Sequence, residues 1–388
     1  MFDIAIVGGG FAGATAAVVF GRRHRVALID PHEAYPPVFA ADKIAGDQIV
    51  SLRALNLFEP LAAASTPATR VINAKYGQLI ERKVIDEYGI RYQTMVETMR
   101  AQIGAAVDRI AGTVTDIALS EDRQRVQLSG GREVEARLVI LATGFSDVIR
   151  AKIGIKRCLI KADHSLSFGF DLRPAAGDVF RFQAMTYYGD RAADRVDYIN
   201  MFPIGDVMRA NMFVYREPDD AWVRGFRGDP QGAVYGVLPG LRRFLPAFEI
   251  CGPIQLRNVD LYTVADQVRP GVVLIGDASQ TPCPALGMGL SHLLTDVVRL
   301  DAAYVHDWLA TPGMGAQKIA QFYADPVKRE VDALALHGAN YRRAVSTQTG
   351  WTWELHRRRI FWRRRLRGLI QRANPRDPAN LTPAAQSL

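Results

Sequence analysis

The first thirty residues restrict this chain more than any other stretch. Phe2–Val7 (FDIAIV) is short, rich in Ile and ended by glycine, the pattern of a buried strand. Gly8-Gly9-Gly10-Phe11-Ala12-Gly13 then fits GxGxxG, and the small apolar run Phe11–Phe20 suits a helix packed on a sheet. Residues 25–29 (RVALI) form a second buried strand, ended by Asp30. Strand, glycine turn, helix and strand make a βαβ unit with a parallel sheet. In such a turn the first glycine allows the tight bend, the second admits a pyrophosphate and the third lets helix and strand close together. The helix N-terminus offers free N–H groups and partial positive charge to phosphates. Asp30, 22 residues after Gly8, stands where a carboxylate accepts bonds from ribose hydroxyls. A dinucleotide site follows, with Gly8, Gly10, Phe11, Ala12, Gly13, Asp30 and Pro31 as candidate contacts. A plain glycine turn would leave Asp30 without a role. A membrane span over Ile4–Phe20 would have to carry four glycines in 17 residues.

Composition agrees with a folded α/β protein of two units or one large enzyme. Of 388 residues, 48% are hydrophobic and 23% charged, which excludes a mostly disordered chain. Cys158, Cys251 and Cys283 form no CxxC pair and cannot staple a small module, so a reducing cytoplasm is expected. The start lacks the basic region of a signal peptide. The net charge of +8 is not a general attraction to acidic partners. Residues 354–388 hold nine arginines against Glu354 and Asp377, so this tail carries +7 and the rest only +1.

Residues 42–60 and 92–110 read as helices, and short strands are expected at 114–119, 125–128, 134–136 and 138–142. From about 157 to 265 the pattern changes to alternating strands at 180–188, 197–202 and 207–215, broken at Gly189-Asp190 and Gly205-Asp206, as in an inserted antiparallel sheet. Residues 272–275 return to the buried style, Gly287–Tyr304 reads as a helix, and 306–372 is largely helical. The end, with Pro375, Pro378 and Pro383, is expected to fray.

Residues 272–292 read VVLIGDASQTPCPALGMGLSH: a buried strand ends in Gly276-Asp277, Pro284 follows, and Gly287-Met288-Gly289 opens a helix. This resembles the GD motif of the group A flavin monooxygenases, the para-hydroxybenzoate hydroxylase-like FAD-dependent oxidoreductases, over roughly residues 1–305. The resemblance implies FAD, with Asp277 on the ribityl chain and Gly276, Pro284, Gly287, Met288 and Gly289 beside the flavin. A helix N-terminus there stabilises the negative charge of reduced flavin. The family often has His, Pro and Asn where Gln280, Cys283 and Ser291 stand. It also implies Arg100 and the backbone of Val114 as cofactor contacts, and Lys43 as a stand-in for an arginine whose place Ala40 takes. The family's third fingerprint carries Asp-Gly. Here Thr143-Gly144 keeps the turn without the charge. No second GxGxxG appears, so NAD(P)H would bind transiently over the flavin as electron donor.

The implied architecture is α/β: a Rossmann-like FAD-binding domain (1–72, 92–156 and 266–305), an inserted antiparallel-sheet substrate domain (73–91 and 157–265), and a C-terminal helical region with an Arg-rich tail (306–388). The implied activity is monooxygenation of an aromatic or lipophilic small molecule through a flavin C4a-(hydro)peroxide. A reductase or desaturase, a halogenase, and a non-catalytic flavin-bound redox partner are the alternatives. His292, Tyr188 and Tyr198 are the candidate catalytic side chains. Tyr187 lies on the same strand as Tyr188, and His164 opens the inserted domain. No histidine spacing suggests a metal. Trp351-Thr352-Trp353 is similar to a halogenase signature, but it follows the GD segment instead of preceding it and reads as coincidence.

In the tail, helical spacing puts Leu355, Trp362, Leu366, Leu369 and Ile370 on one stripe flanked by arginines, with Arg359 intruding. The stripe either docks on the body or lies on anionic lipid at the inner membrane surface. Nucleic acid is disfavoured, because few aromatics interleave with the arginines.

Overall fold

A computed structural model describes residues 1–373; the proline-bearing end lies outside them. In chain order the strands are β1 (Phe2–Val7), β2 (Val26–Asp30), β3 (Lys43–Ala45), β4 (Thr66–Lys75), β5 (Gln78–Gly89), β6 (Val107–Ala111), β7 (Val114–Ala118) and β8 (Gln124–Leu128). They continue as β9 (Glu133–Leu141), β10 (Lys156–Pro174), β11 (Ala184–Tyr188), β12 (Val196–Ile204), β13 (Val207–Val214), β14 (Phe248–Ala265) and β15 (Val272–Leu274). The helices begin with α1 (Phe11–Phe20), α2 (Asp47–Ala54), α3 (Phe58–Ala63), α4 (Tyr92–Arg100), α5 (Val148–Lys152), α6 (Ala221–Gly225) and α7 (Pro230–Val237). They end with α8 (Gly289–Ala303), α9 (Val305–Ala310), α10 (Ala316–Tyr323), α11 (Pro326–Thr347) and α12 (Trp351–Ala373).

The apolar runs that lack alternation become the parallel strands of the first sheet, ordered β6-β2-β1-β9-β8-β7 with β15 also on β9. Ile4–Val7 pairs with Val26–Ile29 on one side and Leu138–Leu141 on the other. Both faces are covered: Ile4, Ile6, Leu28 and Ile140 join one core with α1 and α8, while Ala5, Val7, Ala27 and Val139 join another. β8 and β7 extend the sheet antiparallel.

The second sheet runs β14-β10-β13-β12-β11-β4-β5-β3. It is antiparallel except where β4 and β11 pair parallel. One face packs Phe168, Phe170, Met201 and Met212 against Phe226 and Val234 of the α6–α7 region. The other face looks toward the C-terminal helices and the segment after β15. The molecule is therefore mixed α/β, with a Rossmann-like parallel sheet, a second sheet and C-terminal helices, as the sequence implied.

Several element boundaries differ from the expectation. The helix expected over 92–110 stops at Arg100, and 107–111 is β6, which satisfies the open backbone edge of β2. The 42–60 helix is a short strand followed by two helices, parted by Gly46 and Asn56, both at positive φ. The strands expected at 134–136 and 138–142 are one, β9. β10 and β14, the longest strands, escaped separate recognition because register shifts near Lys161 and Gly169 interrupt their alternation.

Candidate active site

The glycine turn is closed by contacts that only glycine permits. A Cβ on Gly13 would lie 1.8 Å from the Gly8 carbonyl oxygen, and one on Gly8 would lie 2.5 Å from the Ala142 oxygen. Asp30 accepts from the Gly9 N–H (2.6 Å) and the His32 N–H (2.8 Å). Arg100 is buried behind them. It donates to Gly9 O (2.9 Å), His32 O (3.0 Å) and Glu33 O (3.1 Å), and lies 3.3 Å from Asp30. Arg100 therefore braces the turn against the loop after β2 and has no free fork to offer a ligand. Sequence spacing could not show this, because its partners are backbone carbonyls. Pro31 is exposed. No side chain caps α1. Its Phe11 N–H reaches only the Tyr92 hydroxyl, at 3.4 Å, and burial pushes the Tyr92 phenol far up.

The GD segment meets this turn. At Gly276 (φ +58) a Cβ would lie 3.8 Å from Ala12 Cβ, so the two motifs touch. Asp277 follows, and its carboxylate accepts no hydrogen bond from the described residues. Burial raises its pKa, opposed by the charges of Arg257 and His292. Gly287 (φ +69) has no atom within 4 Å of where a Cβ would stand, and its carbonyl accepts from Gln48 at 3.0 Å. Gly287 and Met288 lead into α8 at Gly289, and Pro284 opens the short turn before them.

Elements far along the chain hold this segment. Gly276 N–H donates to Asp296 (2.8 Å), which pairs with Lys328 (2.8 Å) of α11. Lys328 also pairs with Asp332 (3.3 Å), which bonds His292 Nε2 (2.7 Å). Tyr262 donates to Asp277 O and Arg150 to Ala278 O. His292, a catalytic candidate in the sequence, is here a buried tie between α8 and α11.

Thr143 and Gly144 follow β9 beside Gly8, and Thr143 Oγ1 donates to Ser146 O (3.3 Å). Val114 opens β7 near the Asp30 end, where Gly112 N–H donates to Asp30 O (3.1 Å). Lys43 is not a free cation over the crevice; it pairs with Glu87 (2.9 Å) on the second sheet.

The second sheet's face toward the first unit carries residues the sequence reading missed. Asn211 stands opposite Asn200 on β12 and Gly169 on β10, and Asn200 stands opposite Thr186. The side-chain oxygens of Asn200, Asn211 and Ser167 are buried without a partner, as is Thr281 Oγ1 of the GD segment. Beside them Arg209 bonds Asp42 (2.9 Å), Asp171 (3.2 Å) and Gln255 (2.7 Å). Arg257 donates to Phe39 O at 2.9 Å. The available signal was β13 itself, where Arg209 and Asn211 share one face of an otherwise apolar strand.

Tyr198 donates to Ala285 O (3.0 Å) beneath Arg342, and Tyr188 lies beneath Arg364. Tyr198 thus supports the GD segment, and both rings pack against arginines of the C-terminal helices. Tyr187 faces the other way, bonded to Asp190. Trp351 is exposed at the start of α12.

His164 is buried with neither ring nitrogen partnered, its ring 5.7 Å from that of Tyr215. Burial, then Arg343 and Lys161, lower its pKa to about 4 from 6.5. The unfolded chain takes up this proton first as pH falls, so the stability is full above pH 6.5 and drains toward pH 4. The loss is at most about 3 kcal/mol. Urea unfolding from pH 7 to 4.5 should show this limb flattened in His164→Phe. An unchanged slope would remove His164 as its source.

The crevice lies beyond the carboxyl ends of β1, β2, β9 and β15, where strand order reverses on either side of β1, the place such sheets bind ligands. It has two helix N-termini and one unpartnered carboxylate. A dinucleotide with a flavin fits this arrangement: phosphate at α1, a hydroxyl-bearing chain at Asp277, and a ring edge at Gly287–Gly289. Among the described residues no three His, Cys, Asp or Glu side chains cluster as metal ligands.

Comparison with known proteins agrees on the fold. The sequence model of the family described as lycopene cyclase protein matches residues 3–167. The chain is 24% identical over 342 residues to 3-demethoxyubiquinol 3-hydroxylase of Escherichia coli (strain K12), covering 80% of this chain and 83% of the relative. The p-nitrophenol 4-monooxygenase PnpA from Pseudomonas putida DLL-E4 superposes with a TM-score of 0.74 at 15% identity, over 92% of each chain. The flavin-dependent brominase Bmp2 superposes with a TM-score of 0.67 at 17% identity, over 89% of each chain. The fold is thus the one shared by FAD-dependent monooxygenases and halogenases, and the resemblance read from the two motifs holds at that level.

Proposed function

We propose that this chain is an FAD-dependent oxidoreductase, a monooxygenase acting on an aromatic or lipophilic small molecule. The observation that carries the reading is the unpartnered Asp277 carboxylate beside the first turns of α1 and α8. Asp277 is half-buried and its carboxylate has no donor among the described residues, and the ribityl hydroxyls of a flavin would supply donors. Gly8, Gly10, Phe11, Ala12 and Gly13 would take the pyrophosphate, Asp30 the ribose, and Gly287, Met288 and Gly289 the ring edge. Bound FAD would supply the redox chemistry, with NAD(P)H as electron donor and O₂ as co-substrate. The chain would supply a water-poor chamber and an oriented substrate. The hydroxylase to which the sequence is 24% identical supports this reading over a halogenase.

Purified protein should carry or take up FAD, and product formed under ¹⁸O₂ should be labelled. Absence of flavin uptake sinks the whole reading, whereas flavin without label leaves a reductase or desaturase. The substrate would sit against Asn200, Asn211 and Ser167. Asn200→Leu and Asn211→Leu should each raise KM about tenfold, one hydrogen bond's worth. The folded protein should be no less stable, since these oxygens bond nothing in the chain. Unchanged kinetics would place the substrate elsewhere.

A further inference from the structure

α12 docks on the body by the face opposite its apolar stripe. Arg357 and Phe361 are 6% and 5% exposed. Arg357 donates to Val345 O and Gln348 O, and the Phe361 ring packs edge-on against Tyr76. At Gly368 a Cβ would lie 2.6 Å from Ile80 O, so helix and β5 are in close contact. Positions 357, 361, 364 and 368 make one helical face. Leu355, Trp362, Leu366, Leu369 and Ile370 lie on the other side and are 49% to 66% exposed. The sequence left docking and lipid contact as alternatives for one stripe. The helix instead has two faces, and the apolar one is uncovered.

From this we propose that the outer face of α12 is a peripheral membrane-binding surface for anionic phospholipid. Arg359, Arg363 and Arg367 are exposed beside the stripe and pair with no carboxylate among the described residues. Glu354, the only acid of the helix, is taken by Arg357 and Arg358. An apolar stripe rimmed by arginines matches the acyl–headgroup boundary, with Trp362 at the level where its amphipathic ring is favoured. A second copy fits poorly, because two such stripes would bring unpaired arginines together. Among the described residues no helix is long and apolar enough to cross a membrane, so contact is by lying on the surface. This surface is independent of the flavin reading.

The test is sedimentation of the full-length protein with phosphatidylcholine vesicles, with and without phosphatidylglycerol, at low and high salt. The protein should sediment with the anionic vesicles and at least tenfold less with neutral ones. High salt should weaken it. Joint replacement Trp362→Ser, Leu366→Ser and Leu369→Ser should abolish binding with the thermal midpoint unchanged, since these side chains are exposed. Joint replacement Arg359→Gln, Arg363→Gln and Arg367→Gln should weaken it about fivefold per arginine. Failure of the wild type to bind anionic vesicles overturns the proposal, as does undiminished binding by either variant. A wild-type dimer that the serine variant turns monomeric also overturns it, by making the stripe a self-interface. Should the serine variant unfold, the glutamine variant decides.

Discussion

Gly13→Ala should leave the purified protein without bound flavin and weaken FAD affinity at least a hundredfold, about 3 kcal/mol. The new methyl would stand 1.8 Å from the Gly8 carbonyl oxygen, well inside contact distance and against backbone that cannot swing aside. Either α1 lifts off β1, or the turn opens and its N–H groups lose their aim at the phosphates. Gly130→Ala, in the turn between β8 and β9, is the contrasting control. Its φ of +79 is unfavourable for alanine, but nothing lies within 4 Å of the added carbon. The expected cost is only a backbone penalty of about 1–2 kcal/mol in stability, with FAD affinity kept. Visible flavin absorbance and fluorescence titration with FAD compare the two. Equal losses of flavin would show that general destabilisation, not the close approach of helix and strand, is the cause.

Lys328→Met should destabilise the protein by about 3–5 kcal/mol, the usual result of removing one partner of a buried ion pair. Lys328 and Asp296 are both about 1% exposed, and Asp296 also holds Gly276 N–H. Without the ammonium, Asp296 is a buried charge with one remaining bond, and Gly276 loses its link through Asp296 to α11. Adding Asp296→Asn should recover much of the loss by removing that charge. A double variant no better than the single would refute the pair as the cause. Denaturant unfolding measures both. The same network predicts acid sensitivity. Burial tends to raise the Asp332 pKa, but its bond to His292 and the Lys328 charge outweigh that and lower it. Its stabilising contribution is therefore present at neutral pH and is lost as pH falls through the carboxylate range.

The two glycine motifs were legible because each residue type there answers to a local demand. Gly8, Gly13 and Gly276 meet limits of backbone space, and Asp30 and Asp277 end buried strands at a predictable offset. Arg100, His292 and Lys43 make contacts that the sequence could not show, for one shared reason. Each is a polar side chain whose role depends on what the fold brings within about 3 Å, and those partners lie far away in sequence: Gly9 and Glu33, Asp332, and Glu87. Asn200 and Asn211 were missed because strand register across β12 and β13 brings them together.

The opening βαβ unit, the parallel sheet and the place of the crevice were determined by the sequence alone. Apolar runs and glycines act through neighbours a few residues away, so their consequences can be read in one dimension. The amphipathic pattern of the tail was equally plain, but not which side of it would meet the body. That was decided by the tertiary structure, where Gly368 lets α12 close on β5 and Phe361 fits against Tyr76. Helix docking follows shape and close approach as well as apolar area. The face that looks most buried in sequence is the one this fold leaves open.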